Sequence, residues 1–363
     1  MKIAFIHDYL LSHTGSEKLF GTLIEIMGDG DIYTILYDRE KFKYLKNVRS
    51  TFLDNLKIIN YKYLVPFFPV AVKSIDLGNY DIIISSSHAW SKNINKPEDS
   101  LHICYCHTPM KFAWDFKKIY LDNESLILRP VINLYLNYLK KWDYKNTKNV
   151  DYFIANSKNV ADRIKRYYNR DSIIIYPPLD TEFHIPNNNS DEGFFLIVSR
   201  LVEYKRIDIA IKAFNKLGLK LRIIGSGRDE NKLKKLVNGS NIEFLGRLSD
   251  LEVREYYRKC TALIFPGEED LGFTPLEAQS CGKPVIAYGK GGTLETVIEG
   301  ETGHFFHKQT PEALIKAIKE FNNMEFNAEE CRENALRFDK EIFKKKIKEF
   351  IKEKYREFKN AKK

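Results

Sequence analysis

Short β-branched and aromatic runs alternate with stretches of helical period from one end of the chain to the other. In the first half they predict strands over Ile3–Ile6, Ile32–Tyr37, Ile82–Ser86, His102–Cys106, Tyr152–Ala155 and Ile173–Tyr176. In the second half the predicted strands are Phe194–Val198, Leu221–Ile224, Glu243–Leu245, Ala262–Phe265 and Val285–Ala287. Several are apolar throughout rather than alternating, as strands covered on both faces are. Strands separated by helical patterns predict parallel sheets wound on both sides, so the expected class is α/β. The stretch from Pro177-Pro178 to Ser190-Asp191 is rich in breakers and polar residues and reads as a linker. Two doubly wound domains joined there are expected to form a cleft outside the C-terminal ends of their strands, where such sheets bind ligands.

The chain has 363 residues, 44% hydrophobic and 29% charged, which suits two globular domains and excludes a fibrous or disordered chain. The apolar run Leu64–Val72 is interrupted by Pro66 and Pro69 and falls well short of the roughly 20 residues a membrane span needs. The N-terminus meets His7 and Asp8 after a short apolar run, unlike a secretory leader. Five Cys in a chain of this size read as reduced thiols, and we expect a cytosolic setting. The net charge of +9 is concentrated in two places. Residues 340–363 carry +7 and residues 41–73 carry +6, so the remainder is acidic. In the tail, Phe343, Ile347, Phe350, Ile351 and Phe358 recur at helical spacing and predict one buried face. In residues 41–73 the basic residues interleave with Phe42, Tyr44, Phe52, Tyr61, Tyr63, Phe67 and Phe68. That mixture reads as a solvated face over an ordinary core, as a surface that docks on anionic lipid, or as one that serves nucleic acid.

The strongest chemical signal is Glu269-Asp270-Leu271-Gly272-Phe273-Thr274-Pro275-Leu276-Glu277, directly after a predicted strand. Thr274 as N-cap, Pro275 at the first helical position and Glu277 closing a capping box would account for three of these residues. They leave Glu269 and Gly272 unexplained, and a helix N-terminus offering free N–H groups at a strand end suits phosphate. Arg200 and Lys205, five apart after the first strand of the second half, can clamp a diphosphate. Gly225-Ser226-Gly227 and the loop His13-Thr14-Gly15-Ser16-Glu17 are glycine turns after strands, a weak signal alone. His107 stands at the end of the run Cys104-Tyr105-Cys106, whose spacing is not that of a zinc knuckle. No metal site is expected.

Together these segments resemble the retaining sugar transferases of glycosyltransferase family 4, of the GT-B fold with two Rossmann-like domains. The resemblance runs through VSRLVEYKRID, RIIGSG, IEFLGRLSD and FPGEEDLGFTPLEAQSCGKPVIAYGKGGTLETVIEGETGHFF. In the first half, YDIIISSSHAWSKNI and ICYCHTPMKFAWD are similar to a mannosyltransferase-like branch that builds bacterial surface polysaccharides. The resemblance implies a nucleotide-diphospho-sugar donor, mannose favoured and GDP-mannose in particular, and a glycan or polyprenyl-diphosphate-linked acceptor. It implies that Glu277 holds the ribose hydroxyls and Glu269 those of the donor sugar. Arg200, Lys205 and the backbone around Leu271, Gly272, Phe273, Thr274 and Leu276 would meet the diphosphate. Gly225, Gly227 and Arg247 would border the base, Gly15 would approach the phosphates, and His107 would face the reacting sugar. The first loop departs from the family's frequent Gly-Gly, having Thr14-Gly15-Ser16 instead. No cofactor or metal is implied, because protein cations and amides would meet the leaving group.

The expected organisation is an acceptor-side domain over 1–178, a linker over 179–191, a nucleotide-sugar-binding domain over 192–338, and a basic helix over 339–363 returning to the first domain. A cytoplasmic enzyme, peripheral on the inner face of the membrane through residues 41–73, combines these expectations. Nucleic acid is not an expected partner. Two alternatives are another GT-B enzyme such as a sugar-nucleotide epimerase, which would need an acid/base set, and a non-catalytic polyanion- or membrane-binding protein, which would be indifferent to Glu277.

Overall fold

The computed structural model describes residues 1–56, 60–115, 117–122, 125–187 and 191–362. The chain divides into two compact units, Met1–Pro177 with Phe343–Lys363, and Pro178–Ile342.

Unit 1 is built on a seven-stranded sheet of β1 (Ile3–His7), β2 (Asp31–Thr34), β3 (Val48–Ser50), β4 (Ile82–Ser87), β5 (Leu101–Cys106), β6 (Tyr152–Ala155) and β7 (Ser172–Ile174). Their order is β3-β2-β1-β4-β5-β6-β7, and every pair is parallel. Ile3 and Phe5 enter one core with Leu19, Phe20 and Leu23 of the helix Gly15–Met27. Ala4 and Ile6 enter the core on the other face with Leu64, Phe68, Leu136 and Leu139. A strand whose alternate residues reach two cores has no polar side to show, which is why IAFI is unbroken.

The C-terminal helix, Lys340–Ala361, closes the first of these cores with Phe343, Ile347, Phe350 and Ile351. Each buried apolar side chain of this kind contributes about 1.5–3 kcal/mol. Tyr355 and Lys359 reach Asp81, and Lys344 reaches Glu25.

Unit 2 carries a six-stranded sheet of β8 (Phe194–Val198), β9 (Lys220–Ile224), β10 (Ile242–Gly246), β11 (Ala262–Phe265), β12 (Val285–Tyr288) and β13 (Gly303–Phe306). The order is β10-β9-β8-β11-β12-β13, again parallel throughout. Phe195 and Ile197 pack to one core, Phe194 and Leu196 to the other. In both sheets the winding direction reverses beside the first strand, between β1 and β4 and between β8 and β11. Loops leaving the C-terminal ends of strands at such a reversal diverge and leave room for ligands.

Two strands were not expected from the sequence. β3 is a three-residue edge strand with an Arg at its centre, and β13 begins with Gly303. Glycine is required there: a Cβ would stand 2.1 Å from the Val285 carbonyl oxygen. The expected strand Ile32–Tyr37 pairs only to Thr34. Beyond it the chain turns away, with Leu10 and Tyr37 forming an isolated bridge. The expected linker is partly tied down. Leu179 is buried, its N–H donating to Phe338 O (2.9 Å) and its carbonyl accepting from Lys340 N–H (3.0 Å). Residues 188–190 of that stretch lie outside the described residues.

Candidate active site

In unit 2 the loop after β8 and the turn after β9 are interleaved at backbone level. Ser199 N–H donates to Ile224 O (3.0 Å) and Leu201 N–H to Ser226 O (3.0 Å). A Cβ on Gly225, whose φ is +132°, would stand 1.9 Å from Ser199 O, and one on Gly227 would stand 2.2 Å from Leu201 O. These glycines therefore have a packing reason for being glycine: they let two strand-end loops touch.

The same loop continues into a turn over Glu203–Lys205, closed by Arg206 in the left-handed region (φ 53°). Lys205 Nζ forms an ion pair with Glu269 Oε1, from the loop after β11. Ser199, Lys205, Pro266, Gly267 and Glu269 line one small pocket. Glu269 is itself held from behind, its carbonyl accepting from Gly292 N–H (2.9 Å). Gly292 has no room for a side chain, since a Cβ would be 2.2 Å from Leu271 Cα.

The helix after Glu269 starts earlier than the sequence suggested. It spans Phe273–Ser280 with Gly272 (φ 89°) at the N-cap, so Thr274 is not the cap and Pro275 is not the first helical residue. A left-handed φ is open to glycine, which lets the chain turn sharply into the helix, whose first N–H groups have no intrahelical acceptor. Glu277 consequently closes no capping box; its Oε2 accepts from Tyr257 Oη (2.7 Å). Tyr257 is fully buried, and burial beside Glu277 pushes its phenol well above the usual range, so it is a committed donor. The side chains of Leu271 and Leu276 are buried, which leaves only their backbone to meet a ligand. Arg200 is exposed and donates to Tyr204 Oη (2.9 Å); Arg247 is exposed just beyond β10.

In unit 1 the ends of β1, β4 and β5 gather polar groups. Asp8, fully buried, accepts backbone N–H bonds from His88 (3.2 Å), Ala89 (2.8 Å), Trp90 (3.1 Å) and Ser91 (2.6 Å). Burial pushes its carboxyl up, but His88, His7 and Ser91 outweigh it and hold it at about 2. The loop carrying those N–H groups is pinned by Lys92, which bonds Ala89 O (2.8 Å) and Asp143 (2.6 Å), both ions fully buried. Asp143 also accepts from Asn93, Trp114 and Tyr168. His107 lies just past β5, its Nε2 2.8 Å from Ser86 Oγ. Burial, with His88 and His7 adding to it, pushes the imidazole down to about 3. Gly15 is the exposed first residue of the helix Gly15–Met27, beside Thr14, whose N–H donates to Glu17 (3.0 Å).

Cys104 and Cys106 are buried thiols in the sheet, and His102 is committed to Ser85 Oγ (2.7 Å) and Asn149 O (2.8 Å). Among the described residues no group of three His, Cys, Asp or Glu side chains is arranged to hold a metal ion. The sequence reading missed Tyr257, His7, Asp8, Glu17 and Ser86. Only His7-Asp8 carried a usable signal, a polar pair ending an apolar strand.

Two Rossmann-like parallel-sheet units, with Lys205 and Glu269 paired at the reversal of the second sheet, are the architecture of a GT-B glycosyltransferase. The family comparisons agree. Residues 178–338 match the model for glycosyl transferases group 1, and residues 31–183 that for glycosyltransferase family 4. An uncharacterised glycosyltransferase of Methanocaldococcus jannaschii is 33% identical over 330 residues, 88% of each chain. The chain belongs to this glycosyltransferase family. The O-antigen chain mannosyltransferase C of Escherichia coli is 26% identical over 214 residues, 53% of this chain and 57% of that one. The sucrose-phosphate synthase structure from Thermosynechococcus elongatus superposes with a TM-score of 0.76 at 16% identity, covering 98% of this chain and 99% of that one.

Proposed function

We propose that the protein transfers a hexose, mannose in the first instance, from a nucleotide-diphospho-sugar to a glycan or lipid-linked acceptor of a cell-surface polysaccharide, with retention at the anomeric carbon. The observation that carries this reading is the pocket where Lys205 meets Glu269, on the loop that leads into the helix whose Glu277 accepts from Tyr257. The mannose and the surface-glycan setting are supported by the O-antigen mannosyltransferase relative.

In this reading Glu277 accepts from ribose hydroxyls and Glu269 from donor-sugar hydroxyls, both as acceptor-only carboxylates. As the bond from the anomeric carbon to the diphosphate breaks, negative charge grows on the leaving oxygen. Lys205, released from Glu269, together with Arg200 and the N–H groups at the start of Phe273–Ser280, meets that charge. The acceptor hydroxyl forms the new bond from the same face and its proton passes to the departing diphosphate, so no second carboxylate is needed as a base. No metal is invoked, because two cations and a helix terminus answer the same charge.

The first test is a thermal-shift panel of GDP-, UDP- and ADP-sugars with the free nucleotides as controls. Stabilisation follows RT ln(1 + [L]/Kd). We expect a selective rise with GDP-mannose that disappears in Glu277→Ala, followed by an α-linked product from an α-linked donor. A product of inverted configuration, or epimerised donor with no transfer, would overturn the reading.

We further propose that the enzyme works on an anionic membrane surface from the cytoplasmic side. No described helix is long and apolar enough to cross a membrane. The support is an exposed apolar face on unit 1. Tyr63 (75% exposed), Phe67 and Val70 stand beside the helix Arg129–Asn146, whose Tyr135 Oη donates to the carbonyls of Val65 (3.2 Å) and Pro66 (3.3 Å). That helix shows solvent one stripe, Val131, Leu134, Tyr138, Lys141 and Lys145, apolar at one end and basic at the other. Ile127, just before it, is 87% exposed. Within 41–73, residues 57–59 lie outside the described residues. Apolar side chains that enter an interface beside lysines that face anionic headgroups have this pattern. Sedimentation with phosphatidylglycerol vesicles should lose most binding in Val131→Glu/Leu134→Glu and should weaken with salt. Equal binding by that variant would refute the assignment.

A further inference from the structure

Four polar side chains of unit 1 form a file that ends at His107. Glu17 Oε2 faces its own helix terminus, accepting from Thr14 N–H (3.0 Å) and Ser16 Oγ (3.0 Å). Its Oε1 lies 3.8 Å from His7 Nε2, an ion-pair distance too long for a hydrogen bond, and that buried nitrogen has no other polar partner among the described residues. On the other side of that ring, His7 Nδ1 is 3.1 Å from Ser86 Oγ, and Ser86 Oγ is 2.8 Å from His107 Nε2. His7 and Ser86 are fully buried and Glu17 nearly so, while His107 is partly open to solvent. The ring of Phe20 stacks on His7 with centroids 4.8 Å apart, which resists rotation of the imidazole.

The direction of each hydrogen bond follows from the charged end. Glu17 is ionised: burial pushes its carboxyl up, but His7 and Thr14 bring it to about 2. A negative charge 3.8 Å away draws the proton of His7 to Nε2 and leaves the lone pair on Nδ1. Ser86 has one proton to give and gives it to that lone pair. Its oxygen then accepts from His107, which must carry its own proton on Nε2. The ring nitrogen of His107 outside the file, Nδ1, is left with a lone pair.

We propose that, given the sugar transfer above, His107 uses this Nδ1 lone pair to accept a hydrogen bond from a hydroxyl of the sugar substrate, and that Glu17, His7 and Ser86 are positioning residues that select the required tautomer. The surroundings keep the ring neutral while it does so. Tyr105, His88 and His7 face it at ring-centroid separations of 5.4, 6.1 and 6.5 Å, with the carboxylates of Asp8 and Glu17 behind them. A protonated His107 would have two donors and no acceptor, so the reverse polarity is excluded at working pH.

The test is ring-nitrogen NMR on the full chain labelled in its histidines, with His107→Gln to assign the signals. We expect His107 to show a protonated Nε2 and an unprotonated Nδ1 between pH 6 and 8. In Glu17→Gln the side-chain amide can donate to His7 Nε2 and allow the whole file to reverse. That variant should move His107 toward the Nδ1–H form and lower kcat/KM by about tenfold, as for loss of one hydrogen bond to substrate. Ser86→Ala should lose activity similarly and Ser86→Thr, which keeps the hydroxyl, should regain it. An Nδ1–H tautomer in the wild type, or an unchanged tautomer in Glu17→Gln, would overturn the proposal. The expected tautomer in a protein that transfers no sugar would overturn the assigned reaction, and with it the substrate partner of Nδ1.

Discussion

Tyr257→Phe isolates how Glu277, the carboxylate proposed to hold ribose, is positioned. The ring is fully buried, and phenylalanine keeps it, so packing is preserved. What is lost is one hydrogen bond of 2.7 Å to Glu277 Oε2. A bond to a charged acceptor contributes about 1.5–3 kcal/mol. Glu277 is only half-buried, so water can replace the phenol in part, and the lower end of that range applies. About 1.4 kcal/mol is tenfold in an equilibrium constant. In the proposed role of Glu277, ribose is gripped equally before and during bond cleavage, so the loss should appear as a roughly tenfold higher KM for the donor with kcat nearly unchanged. Steady-state kinetics with varied donor read this directly, and a melting curve confirms the fold. The effect must also vanish in a Glu277→Ala background, since both changes remove the same contact. Unchanged KM in folded Tyr257→Phe, or full additivity with Glu277→Ala, would refute the reasoning.

Lys205→Ala should lower transfer by one to two decades without unfolding unit 2, since a charge-assisted contact of about 1.5–3 kcal/mol is felt at the transition state; wild-type turnover would remove Lys205 from the site. Asp143→Ala should destabilise unit 1 by about 3–5 kcal/mol, because it leaves Lys92 buried without a counter-ion. At about 2–4 °C per kcal/mol for a unit of this size, a drop of at least 6 °C in Tm is expected, and a smaller one would contradict burial of the pair. Acid should act in two stages. Burial pushes His102 down to about 4 and His107 to about 3, so both stay neutral in the fold while the unfolded chain protonates them near 6.5; their contribution to stability is full above that value and is lost as pH falls toward 4 and 3. Asp8, held at about 2 against an ordinary 3.8, adds a second loss as pH falls through that lower window. Urea titrations from pH 7.5 to 3.5 should show stability falling from just below 6.5, and a flat profile down to pH 4.5 would refute the assignment for His102.

The sheet-forming runs were legible because a strand covered on both faces has little room for polar residues, so IAFI, YFIA, FFLIV and ALIF stand out from their surroundings. The family resemblance was legible because its chemistry is concentrated in one stretch, Glu269 to Glu277, with Arg200 and Lys205 at a fixed distance from a strand. Two edge strands, β3 and β13, were not legible. Each pairs with a single neighbour, and their residues have no periodicity that would announce it.

Tertiary structure alone decided how the site residues are held. Tyr257 reaches Glu277 across 20 residues, and His7 reaches Ser86 across 79, separations at which no local pattern survives. It also reassigned residues whose type had been read correctly. Thr274 looked like a cap until Gly272, free to take a left-handed φ, began the helix two residues earlier. Gly225 and Gly227 also have a packing role that their spacing could not show, giving way to the backbone of the loop at Ser199 to Leu201. Residue type and spacing determine which chemistry a chain can offer. Which oxygen faces which proton depends on contacts between strand ends distant in sequence, and those exist only once the sheet has formed.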